Sequence, residues 1–510
     1  MSTLTPPLSP AAEALPSGAA PAFPSWVPRV RAPRPMFVAS LGLGVFAELL
    51  LNAEHWGVSF PLVILALLGS LVALGGREGW QRARPNAWLM APLVVFSGFV
   101  AVRASPWLAA INVLASGVLL MLLTHFWAAG RVQRLGLASY PLTVLVSALK
   151  GMLYPPVLVR DSVDLRAAGR QVPKVMPFAR GLLFVLPVLA VFAVLLHSAD
   201  MAFASAMDRV LSVQLGSLFE QSIGHAIGAV FSACVAAGVL GHALRRRTGT
   251  EWAEAEEAPA RRRLGIIEAL MLVVSVDALF LIFAGFQVAY LFIGGATSPA
   301  PGYSYAEYAR GGFFELVWVA ALTLALVMAL ARWTRRESRA AELSFRVGAT
   351  GTVALSLVIL ASAMKRMSLY EAAFGYTQLR VYTHVFMFAL GAVLSWRAVT
   401  LWWRPQRFAV GVFLTALASV LAINLVNPDA FIARNNLQQG GAYDLEYLSE
   451  LSTDAAPVLI QGLSTMEAER KHFLADHLSR QLSAERKWTE WTLADWQARR
   501  AFERTGPLAQ

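Results

Sequence analysis

The chain has 510 residues, 57 % of them apolar and 15 % charged, with a formal net charge of +11; soluble domains average roughly 45–50 % apolar and about 25 % charged. The apolar residues fall in separate runs long enough to cross a bilayer, for which about 20 residues suffice, and this excludes a soluble enzyme. The single cysteine, Cys234, lies inside one of these runs, which excludes a disulfide framework or a thiolate metal cluster within one chain.

Residues 1–35 carry nine prolines and no long apolar segment, so the sequence predicts a disordered cytoplasmic tail. The first apolar run, from Met36, leads into a second within a few residues and reads as a retained span, not a signal peptide. Eleven membrane helices are expected, at 36–53, 58–76, 87–102, 108–129, 181–197, 222–243, 264–294, 312–331, 347–364, 381–396 and 408–426. The stretch 137–156 is moderately apolar but holds Lys150 and runs into Pro155-Pro156, and is read as an interfacial helix within a cytoplasmic segment, 130–180. From Pro428 to the end, apolar residues recur at helical spacing among charges, as expected for a small helical region. There Trp488, Trp491 and Trp496 form one stripe suited to the membrane edge. The expected fold is all-α, a polytopic membrane helix bundle over 36–427 with appendages at both ends.

The placement of basic residues predicts orientation, because Lys and Arg of short loops stay on the cytoplasmic side. With the amino terminus inside and the carboxyl terminus outside, inward segments hold 28 of the 43 bases, outward loops hold 6, and 9 follow residue 427. The positive charge is therefore an orientation signal, and nucleic acid is not an expected partner. The bilayer is the expected partner, with Arg245-Arg246-Arg247 and Arg261-Arg262-Arg263 set against anionic headgroups.

Ionisable groups inside a bilayer are costly and mark function. The first helix carries Glu48 and Asn52 on one face; the seventh carries Asp277 near mid-span and Gln287 towards its outer end. The eighth is preceded by Glu307, Tyr308 and Arg310 and opens with Glu315. The connection from ninth to tenth holds Arg366, Tyr370, Glu371, Gln378, Arg380 and Tyr382. This is the one outward loop with three bases, and as a continuous helix it would set Arg366 on Tyr370, and Tyr376 on Arg380 and then His384. Together these residues form a candidate polar site at the outer mouth, either headgroup anchors or guanidinium forks for an anionic or polyhydroxy group.

Ser368-Leu369-Tyr370-Glu371-Ala372-Ala373-Phe374-Gly375-Tyr376-Thr377-Gln378-Leu379-Arg380-Val381-Tyr382 resembles the S-L-Y-x-x-A-[FY]-G-x-T-x-L-R-x-Y signature of a bacterial family of polytopic membrane proteins catalogued as a domain of unknown function. Phe286-Gln287-Val288-Ala289-Tyr290-Leu291-Phe292, the run from Ala306 to Leu316, and Asn427-Pro428-Asp429-Ala430 with Asn435 are similar to it too. The resemblance, over about residues 36–500, implies a bacterial inner membrane and brings no activity, substrate or catalytic residue.

Other motifs fail. No G-x-x-x-x-G-K-[ST] cradle occurs. Ser147-Ala148-Leu149-Lys150 matches S-x-x-K without its partner motifs, and His472 and His477 fall on different helix faces, so no metal or cofactor is expected. Asp161 and Asp164 read as solvated carboxylates, and Gly224 with Gly228 as a close-packing pair. Three activities stay open: transport or flipping of a polar or lipid-linked solute; an envelope sensor or assembly partner docking a periplasmic protein; and a membrane-embedded transferase using Glu307, Glu315 or Glu371 as base.

Overall fold

The structure, a computed structural model, describes residues 32–128, 130–162, 189, 196, 217–245, 264–287, 313–438 and 444–505. Among these a bridge joins Leu264 and Thr334, and the named elements are all helical. In chain order the helices are α1 (Pro33–Leu51), α2 (Ser59–Ala83), α3 (Met90–Val102), α4 (Pro106–Ala128), α5 (Ser139–Gly151), α6 (Tyr154–Ser162), α7 (Ser217–Ala243), α8 (Ile266–Gln287), α9 (Phe313–Trp333), α10 (Arg339–Phe374), α11 (Gln378–Trp402) and α12 (Phe408–Val426). Five shorter ones follow: α13 (Pro428–Gln438), α14 (Leu445–Ser449), α15 (Ala456–Gly462), α16 (Ala468–Ser483) and α17 (Leu493–Thr505).

Ten helical runs among the described residues are long and apolar enough to cross a membrane. One of them, Ser59–Val102, is a continuous run of 44 residues that covers two expected spans. It bends where Gly76 takes φ +57°, a conformation open to glycine, and again through the 3₁₀ turn Arg84–Leu89. The expected span 181–197 lies outside the described residues except for Leu189 and Leu196.

Another run, Ser139–Ser162, is two short helices, α5 and α6. Tyr140, at the start of α5, donates to the Val132 carbonyl at 3.0 Å and stacks on Phe413 near the start of α12. Ser147 meets His125 near the end of α4 at 3.1 Å. Gly151 abuts Gly238 and Tyr154 abuts Gly241, both near the end of α7. α5 thus packs against the end regions of α4, α7 and α12.

Three apolar cores organise the chain. The first joins α1 to α7 with the start of α12; the second joins α8, α9, α10 and α11; the third is built from α13 to α17 around Ile432, Leu459 and Leu474, and takes in Val381 of α11. Within lipid no hydrophobic force draws helices together, so association depends on close van der Waals packing and on small residues that permit it. The α1–α7 contact has this character: a Cβ built on Gly44 would lie 2.5 Å from the Ala233 Cβ.

Candidate functional site

On α1, Glu48 and Asn52 share one face and meet His225 of α7. The His225 Nδ1 is 3.1 Å from a Glu48 carboxylate oxygen and 2.6 Å from the Asn52 side-chain amide. Gly228, one turn beyond, makes room for this: its absent Cβ would fall 2.0 Å from the Glu48 carboxylate. Gly224 has nothing within 4 Å of its Cβ position.

The α8–α10 seam holds the mid-span carboxyl. Asp277 lies against Gly351, whose built Cβ would be 3.3 Å from Oδ2, and its carboxyl is hydrogen-bonded to Thr352. Its Oδ1 is buried and has no hydrogen-bond partner among the described residues. Three turns on, the buried Gln287 accepts from the buried Arg366 at 3.2 Å. Between these levels α10 buries Ser356 and Ser362, so polar groups punctuate its buried surface from Thr352 to Arg366.

The connection beyond Arg366 is not one helix. α10 stops at Phe374 because Gly375 turns to φ +75°, and α11 starts again at Gln378. This breaks the expected register of Tyr376 with Arg380, while Arg380 and His384 stay four residues apart on α11. Arg380 turns back, donating to the carbonyls of Phe374 and Gly375 and lying over the Tyr370 ring at 4.3 Å. It thereby satisfies carbonyls that the end of α10 leaves open. His384 pairs instead with the buried Glu371 at 3.1 Å, and Arg366 is engaged by Gln287. A carboxylate bonded to an imidazole can pass a proton, and this pair could do so.

Beyond this lies a second cluster, largely missed from sequence, that joins the bundle to the third core. The Gln378 side chain donates to Asp429 Oδ1 at 2.7 Å, and its backbone N–H donates to the Tyr447 hydroxyl at 2.8 Å. Ser452 Oγ lies between two carboxylates, 2.5 Å from Asp429 and 3.3 Å from Asp454. Asp454 accepts from the backbone N–H groups of Ala104 and Ser105 at 2.7 and 3.0 Å, capping the start of α4 from another part of the chain. Arg103 reaches Asp454 at 3.4 Å and also donates to the Asn424 carbonyl at the end of α12. Just inside, the buried Asn112 and Asn424 exchange two amide hydrogen bonds of 2.8 Å. Tyr382 sets its hydroxyl beside Ser105, within electrostatic reach of Asp429 and Asp454. Burial pushes the Asp454 carboxyl above its ordinary value, with the Ala104 N–H and Arg103 opposing.

Of the residues expected at the outer mouth, the structure thus joins Gln287 to Arg366, Tyr370 to Arg380, Glu371 to His384, and Gln378 to the junction. Glu48 with Asn52, and Asp277, form separate sites. Glu315 is exposed in the first turn of α9. Glu307, Tyr308 and Arg310 lie outside the described residues, as do Arg246, Arg247, Arg261, Arg262, Arg263 and Asp164. Asp161 pairs with its neighbour Arg160 at 2.7 Å. Arg103 carried a signal, being a lone base in an outward loop, and Asp429 sits in the quoted Asn-Pro-Asp-Ala motif. Asp454 and Ser452 carried none.

No curated protein and no solved structure matches the chain. Its residues 90–462, most of its length and nearly all of both polar clusters, match a domain of unknown function, DUF4153, and the chain belongs to that family.

Proposed function

We propose that this multi-pass membrane protein moves or flips a polar or lipid-linked solute across a bacterial inner membrane, with its amino end in the cytoplasm and its carboxyl-terminal helices outside. The observation that carries this reading is Asp277, a mid-span carboxyl group with one buried oxygen unpartnered among the described residues and a glycine opposite. A residue needed only to join two helices is served by serine or asparagine at far lower cost than a carboxyl group in hydrocarbon. Transporters place polar groups at the repeat interface near the midplane. The buried Ser356, Ser362 and Arg366 lead from that level towards the outer end, and the Glu371–His384 pair continues the series.

The test uses purified protein in vesicles, following translocation of headgroup-labelled lipid by dithionite quenching and proton flux with a trapped pH dye. Asp277→Asn is expected to abolish whichever flux the wild type supports while leaving the thermal midpoint close to wild type. A variant that keeps the full flux refutes the reading.

Docking of a periplasmic protein has the exposed Trp488 and Trp496 in its favour. Against it, Gly57 packs on the backbone of Trp491, and Val58 donates to the Trp491 carbonyl at 3.0 Å, so this aromatic surface lies at the rim of the bundle. Tryptophan at such a rim anchors to headgroups.

A further inference from the structure

At the end of the second core where α9 and α11 stop and α10 and α12 begin, α11 buries Met387, Leu390, Leu394 and Leu401, an alternating three- and four-residue seam. Arg397 occupies the remaining position of that seam. It is 6 % exposed, its guanidinium rests over the Phe408 ring at 5.2 Å, and that guanidinium makes no hydrogen bond or ion pair with a described residue; its Nε is fully buried. The charge that acts on it is also positive, the guanidinium of Arg336 ahead of α10. Arg336 lies over Phe345 at 5.0 Å and pairs with Glu342 at 3.4 Å, a carboxylate that Arg346 shares at 2.7 Å.

A guanidinium cannot shed its charge, and a buried charge without a partner is strongly destabilising. Arg336 is answered by Glu342 and by the Ala331 carbonyl at 2.8 Å, whereas the buried Arg397 guanidinium has only the Phe408 ring, and an anion beside it would remove that cost. The depth narrows the choice: Trp402 and Trp403 are exposed a little over one turn on, and Arg404 and Arg407 lie 5.3 and 5.9 Å from the Trp403 ring. Tryptophan and arginine together mark the headgroup level. We propose that Arg397 and Arg336 bind the phosphate oxygens of an anionic phospholipid headgroup, the fork of Arg397 supplying parallel N–H donors. The site is independent of any transport activity, and inorganic phosphate shares the chemistry it selects.

The experiment takes the full-length protein, delipidated in neutral detergent, and measures its thermal midpoint and native mass spectrum with phosphatidylglycerol, phosphatidylcholine or inorganic phosphate. Phosphatidylglycerol is expected to raise the midpoint by about 2–4 °C and to remain bound, while phosphatidylcholine does neither. Arg397→Met, similar in length and uncharged, is expected to match or exceed the wild-type midpoint without lipid and to lose the rise. A rise with inorganic phosphate that Arg397→Met removes supports the same site with free phosphate as its source. An equal rise in wild type and Arg397→Met, or no rise with either phosphate source, overturns the proposal. Arg336→Gln repeats the test on the second cation, and there an undiminished rise also overturns it.

Discussion

Gly44 and Asp454 illustrate how much a single position can decide in a chain this apolar. At Gly44 a side chain has nowhere to go, because its Cβ would lie 2.5 Å from the Ala229 carbonyl oxygen, a backbone atom that cannot turn aside. Gly44→Leu is therefore expected to force α1 from α7 and to lower stability by about 2 kcal/mol, the usual scale of overpacking, seen as an earlier midpoint in detergent. Asp454 shows the opposite situation, a buried acid surrounded by donors. Its folded pKa is raised, so the fold holds the proton more tightly than the unfolded chain does. The contribution of this carboxyl to stability is thus greatest in acid and is lost as pH rises through the folded value. Asp454→Asn, which fixes a neutral side chain, should remove that part of the slope of midpoint against pH. Asp454→Ala should cost about 3 kcal/mol in acid, and less as pH rises, by leaving two N–H groups without their acceptor and removing the carboxyl beside Arg103. Unfolding followed across a pH series with the three proteins checks both.

Among the elements, the break between α10 and α11 is the one that arranges polar residues. A continuous helix through 374–378 would carry Arg380 away from Tyr370. The turn at Gly375, with Asn436 holding Tyr376 by hydrogen bonds of 2.7 and 2.9 Å, brings it back. Gly375→Ala is expected to cost about 1 kcal/mol from the positive φ alone, and more because its Cβ would press on Asn436 Oδ1 at 3.1 Å. The measurement is the unfolding midpoint beside that of Gly42→Ala, a glycine with nothing within 4 Å of its Cβ position. The turn was present in the sequence as Phe374-Gly375-Tyr376-Thr377. What concealed it was the helical periodicity on both sides, since glycine inside an apolar helix of a membrane protein is ordinary.

For the whole molecule, orientation and the attachment of the carboxyl-terminal helices are the matters to test. With Cys234 replaced by serine, Ser464→Cys is expected to react with an impermeant maleimide added outside intact cells, and Ser338→Cys only after the membrane is opened. Both serines are exposed, on opposite sides of the expected arrangement. Reversed labelling would overturn the orientation. Removal of residues 440–510 bears on attachment. Asp454 caps α4 and Ser452 bonds Asp429, so this deletion is expected to destabilise the end of α3, the start of α4 and the end of α12, not merely to remove an appendage. Limited proteolysis within 103–106 and 424–428 would report it; an unchanged cleavage pattern would show the two parts to be independent.

The polytopic all-α character and the place of most long helices among the described residues were legible in the residues alone, because a bilayer demands about 20 apolar residues per crossing and that demand is local. The family resemblance was legible too, in ordered motifs. The partners of the polar residues were not. Asp454 with Ala104, Arg366 with Gln287 and His225 with Glu48 lie far apart along the chain and carry no periodic signal. The first two pairings exist because packing removed water and left those groups one another to satisfy, whereas His225 stays exposed beside Glu48. Arg397 marks the same boundary: in the sequence it was one more base counted towards orientation, and only the fold placed it inside the α11 seam with a second cation for company.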